Sequence, residues 1–130
     1  MKMFLAIFVV FLLSSFAQAE TLEEALFRTS MDINKKTPMM IDKEGRLDST
    51  MAFGKSLSYY YTLINYSVDD LSSVEISNFS KSHRAMLINS YCTLPGQKLF
   101  RDNKVTLKYI YRGKFGKHVT SIDITYRNCK

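Results

Sequence analysis

The 130-residue sequence has no tryptophan, two cysteines, two histidines, two prolines and five glycines. Two cysteines are too few for a disulfide-dense knottin or a cysteine-rich zinc module. The low glycine and proline content rules out a collagen-like chain. No G-x-S-x-G, H-E-x-x-H, P-loop or G-x-G-x-x-G occurs, so the signatures of common hydrolases, zinc proteases and nucleotide-binding proteins are missing. No C-x-x-C occurs either, and no histidine lies at ligand spacing from a cysteine. The sequence therefore implies neither a metal nor a cofactor. What is present is ordinary globular composition, 46% hydrophobic and 23% charged, in a length that suits one domain.

The N-terminus reads as an export signal. Lys2 is followed by an uninterrupted apolar run, Met3 to Leu13, and then by Ala17-Gln18-Ala19, a small-x-small cleavage site. The run of 11 residues falls well short of the ~20 that span a bilayer. Residues 1–19 are thus expected to be a signal peptide and 20–130 a single domain, periplasmic or secreted. In an oxidising compartment Cys92 and Cys129 should pair. A bridge closing a loop of this length is worth about 4 kcal/mol in the loop-entropy model.

Along residues 20–130, periodicity predicts helix, two strands, helix, two strands. Thr21 and Glu24 form a capping box ahead of a helix from Leu22 to about Asn34, with Leu22, Leu26, Phe27, Met31 and Ile33 as its apolar stripe. Alternation over Leu47 to Phe53 and Leu57 to Ile64 predicts an antiparallel hairpin. A long helix is expected from about Val68 to Tyr91, and a short helical turn from Pro95. Val105 to Arg112 and Val119 to Tyr126, joined by Gly113-Lys114-Phe115-Gly116, predict a second hairpin. The fold class that follows is α+β: helix–β-hairpin–helix–β-hairpin. Its antiparallel sheet of about four strands carries the helices on one face, with one disulfide.

Charge is unevenly placed. Residues 20–77 hold six bases and ten acids; residues 78–130 hold eleven bases and two acids. Around the last hairpin, Arg101 and Lys104 precede it, Lys108 and Arg112 share a strand face, and Lys114 and Lys117 lie in its turn. Such a surface attracts an acidic protein or another anionic surface. Export disfavours nucleic acid. The main reading is a non-enzymatic exported binding protein, such as an inhibitor, an immunity protein or a secretion-accessory protein. Two alternatives are open. One is a small metal-free hydrolase, ribonuclease-like, with His118 and His83 as its acid and base. The other is a membrane-surface protein held by an uncleaved N-terminal segment. Asn65-Tyr66-Ser67 and Asn78-Phe79-Ser80 match the glycosylation sequon, which matters only in a eukaryotic secretory pathway.

Overall fold

The computed structural model describes residues 20–130, so the expected signal peptide lies outside the described residues. Helix α1 (Leu22–Asn34) begins at the expected capping box. Thr21 Oγ1 accepts from the Glu24 backbone N–H and Glu24 Oε1 accepts from that of Thr21, both at 3.1 Å. The Thr21 backbone N–H and hydroxyl, both donating to Glu24 Oε1, hold the Glu24 carboxyl below its usual pKa. The helix is rotated relative to its predicted stripe. Ala25, Leu26, Thr29, Ser30 and Ile33 face the core, whereas Phe27 and Met31 are exposed. The reason is a polar seam with the sheet. Asn34 Nδ2 donates to the Thr50 carbonyl at 2.9 Å, the Thr50 N–H donates to Asn34 Oδ1 at 2.7 Å, and the Ser30 and Thr50 hydroxyls meet at 2.7 Å. Facing Ser30 to the sheet satisfies the buried Ser30 and Thr50 hydroxyls, which would otherwise be left unpaired in the core.

Strands β1 (Met39–Met40), β2 (Gly45–Phe53), β3 (Ser56–Leu63), β4 (Thr106–Gly113) and β5 (His118–Ile124) form one sheet in that order. The α+β class with helices on one face is as the sequence implies. The sheet itself differs in two respects. It has five strands, because the two-residue β1 pairs with β2. It is also mixed rather than antiparallel, because β3 and β4 run parallel from Ser56↔Thr106 to Leu63↔Gly113. Helix α2 (Ser73–Thr93) is the crossover that such a parallel pair requires. It starts later than periodicity suggests. Ser67 to Asp70 closes its own box around a 3₁₀ turn (Val68–Asp70), and a second box, Ser72–Glu75, starts the α-helix. After α2 come a 3₁₀ turn (Pro95–Gln97) and helix α3 (Lys98–Asp102).

Parallel, in-register pairing aligns the tyrosines. Tyr59 stacks on Tyr109 with ring centroids 5.2 Å apart, and Tyr61 on Tyr111 at 5.1 Å. Each such pair adds about 0.5–1.5 kcal/mol beyond area burial. Burial raises the pKa of all four phenols well above the ordinary 10. Tyr91 joins them from α2. Its hydroxyl donates to the Val105 carbonyl at 2.7 Å, and burial pushes its pKa to about 12. Cys92 and Cys129 are bridged, tying the end of α2 to the 3₁₀ turn (Tyr126–Asn128) that follows β5.

Candidate functional site

The basic residues singled out in the sequence fall into separate groups. Arg101 is engaged inside the fold: its Nη1 donates to the carbonyls of Tyr91 at 2.7 Å and Leu94 at 2.9 Å, closing the end of α2. Lys104 sits in the turn before β4 with φ +56° and lies 5.3 Å from the Tyr126 ring centroid. It is at the far end of β4 from Lys114, roughly 25 Å away along the strand. Lys108 and Arg112 lie on the sheet face opposite the helices. Lys108 pairs across to Asp123, and Arg112 covers the Tyr60 ring at 5.7 Å. Lys114 and Lys117 are exposed in the β4–β5 turn beside an exposed Phe115, with Lys117 3.5 Å from Asp69. The structure thus brings Arg112, Lys114 and Lys117 to one end of the sheet and leaves Arg101 and Lys104 at the other.

That turn is held firmly at its base. The Gly113 N–H donates to the Lys117 carbonyl at 2.9 Å, and the Lys114 N–H donates to the Tyr66 carbonyl at 2.7 Å. A Cβ on Gly113 would stand 2.9 Å from that same carbonyl, so only glycine lets the two backbones approach.

The histidines do not share a site. His83, on α2, is half-buried; its ring stacks on Phe79 at 3.9 Å and meets Tyr111 edge-on at 5.9 Å. Its Nδ1 lies 3.1 Å from the Phe79 carbonyl. His118 pairs with Arg112 and so projects from the opposite sheet face, with Nε2 2.7 Å from the Ser121 hydroxyl. One substrate cannot touch both rings, so the geometry does not favour the acid–base pair that a ribonuclease-like mechanism needs. Among the described residues no helix is long and apolar enough to cross a membrane.

A further feature escaped the sequence reading. On the helix side, where β3 and β4 end, two adjoining clefts of about 190 and 240 Å³ open between α2 and the β1–β2 loop. They share Glu44, Leu63 and Phe79. The loop is an Asx turn: Asp42 Oδ1 accepts from the N–H groups of Glu44 and Gly45, both at 2.8 Å. Glu44 in turn accepts from the Tyr66 hydroxyl at 2.7 Å. The lining residues come from five separated stretches of chain, so no local spacing marks them. The nearest sequence signal is the polar Asp42–Gly45 turn between two apolar segments.

This architecture, two main helices on one face of a five-stranded mixed sheet, recurs in solved structures. A candidate secreted protein from Pseudomonas aeruginosa matches with a TM-score of 0.65 at 16% identity, over 84% of this chain and 93% of its own. The type 2 secretion system pilotin EpsS from Vibrio vulnificus matches with a TM-score of 0.64 at 10% identity, over 84% of this chain and 92% of its own. The type II secretion system pilotin AspS from Vibrio cholerae matches with a TM-score of 0.59 at 13% identity, over 83% and 92%. At such identities these likenesses define a shared fold. By sequence, the chain belongs to the DUF8479 family, a domain of unknown function whose model matches residues 21–120. No curated protein matches the chain.

Proposed function

We propose that the protein is an exported, non-enzymatic binding protein that acts as an accessory to a secretion apparatus. The observation that carries this reading is the fold, shared with two type II secretion pilotins over more than nine-tenths of their chains. The separation of His83 from His118 supports a binding role over a catalytic one. In this reading residues 1–19 are removed on export, and the chain begins at Glu20 in the periplasm or outside the cell. The contact with an acidic protein partner is made by the end of the sheet that carries Arg112, Lys114, Phe115 and Lys117. Arg112 is exposed at the end of β4 and the other three on a turn whose backbone is fixed, so little conformational freedom is lost on docking.

The test is recovery of a cross-linked partner from a cell-envelope extract of the host. Lys114→Glu with Lys117→Glu should lower recovery at least tenfold while leaving the melting temperature unchanged, since the Lys117–Asp69 pair is exposed and adds little stability. Recovery from the unaltered protein should also fall as salt is raised. The exported chain should have an intact mass that starts at Glu20. Partner recovery that ignores the charge reversal would remove the hairpin from the interface. A retained N-terminal segment would instead restore the membrane-surface alternative.

A further inference from the structure

The cleft between α2 and the β1–β2 loop has its own chemistry, opposite in sign to the hairpin. Asp42, Glu44 and Glu75 line or rim it, and no lysine or arginine does. Its walls are apolar: Ile41, Leu63, Leu71, Ile76, Phe79 and Val119. Tyr111, 3% exposed, stands against the Phe79 ring edge-on at 5.1 Å. Its hydroxyl is buried and has no hydrogen-bond partner among the described residues. A buried phenol left unpaired is destabilising, so a group that reaches it gains more than it would at an exposed site. The Asp42 carboxylate acts electrostatically on that same phenol. Only its Oδ1 is used in the Asx turn.

We propose that this cleft docks a protein segment that inserts one Lys or Arg side chain among aliphatic neighbours. The cation is held between the Asp42 carboxylate and the Tyr111 hydroxyl. Four properties select this occupant. Three carboxylates against one imidazole, His83, with Lys43 outside the lining of both clefts, favour a cation. The rings of Phe79, Tyr61 and Tyr111 suit both a cation and the methylene stem of its side chain. The aliphatic remainder of the cleft accepts the neighbouring side chains of the same segment. Finally, each cleft holds less than the roughly 300 Å³ at which pockets for whole small molecules begin, whereas single side chains fit.

The experiment is selection of a random dodecapeptide phage library on the exported protein. Selected peptides should share a Lys or Arg flanked by aliphatic residues. A synthetic peptide of that consensus should bind at least tenfold more weakly when its basic residue is replaced by norleucine. Asp42→Asn keeps the turn, because an amide oxygen accepts the same two N–H bonds, but removes the charge; binding should fall at least fivefold. Tyr111→Phe should weaken binding at least threefold without lowering the melting temperature, a combination that a purely structural tyrosine would not give. A consensus without a basic residue, or equal binding of the norleucine peptide, would overturn the proposal. So would undiminished binding by both variants. Lys114→Glu with Lys117→Glu should leave this peptide binding intact, so the cleft and the hairpin can fail separately.

Discussion

Titration above pH 10 should unfold the protein in one cooperative step, with the buried tyrosines ionising as the sheet is lost. Tyr59, Tyr61, Tyr109 and Tyr111 each keep their phenol proton in the folded state well beyond the pH at which an unfolded chain loses it. Tyr91 does so to a smaller degree. Below pH 10 both states hold these protons, and the contribution of the ladder to stability is complete. Above it the unfolded state releases protons that the folded state retains, so stability falls as pH rises. Each phenol removes about 1.4 kcal/mol per pH unit, and four together remove about 5–6. A domain with ~5–15 kcal/mol to lose should therefore unfold near pH 11–12. Tyrosinate absorbance at 295 nm and far-UV circular dichroism should change together. Smooth ionisation of all eight tyrosines while the dichroism holds would contradict the burial seen here. Tyr59→Phe with Tyr109→Phe should move the transition to higher pH, since two of the titrating groups are gone.

Removing the disulfide should have the next largest effect. Cys92→Ser with Cys129→Ser releases a link between positions 37 residues apart, worth about 4 kcal/mol in the loop-entropy model. For a domain of this size that corresponds to a drop in melting temperature on the order of 15–30 °C. The loss should arise mainly in the unfolded chain, which the bridge otherwise constrains. Beyond β5 the chain contributes one 3₁₀ turn and the half-buried Tyr126, which packs against the core beside Lys104. Urea midpoints of the double variant and the oxidised protein, compared at equal pH, check the figure. A difference below about 1 kcal/mol would show that the unfolded chain gains little freedom when the link is cut.

Local signals in the sequence are followed closely by the structure, and non-local ones were invisible. The Thr21–Glu24 box placed α1 to the residue, and alternation over Leu57–Leu63 and Val105–Tyr111 marked both inner strands. Periodicity sets the first turn of α2 too early because two capping signals lie five residues apart, and the earlier one caps only a 3₁₀ turn. β5 stops at Ile124 although Tyr126 continues its period, because Thr125 caps the turn that follows. β1 is too short to show any period. Alternation identifies a strand without naming its neighbour, so the parallel join of β3 to β4 could not be read. The binding surfaces divide the same way. The basic turn is contiguous in sequence and was legible. Charge alone groups Arg101 with it, because sequence does not show that the guanidinium is tied to helix carbonyls. The acidic cleft needs Asp42, Phe79 and Tyr111 brought together by that unread join.

The parallel join also bears on how fast the chain can fold. Every partner pair across it lies 50 residues apart, whereas each flanking hairpin closes locally. The two halves can form their own turns early, but neither buries its tyrosines until the long crossover brings β3 to β4. That places the slow step at the centre of the sheet, because loop closure is costly before the distant pairing rewards it. Until then two tyrosine-rich edges stand open to other chains. On the proposed route of export, the newly arrived chain meets that interval with the cysteines still to be joined.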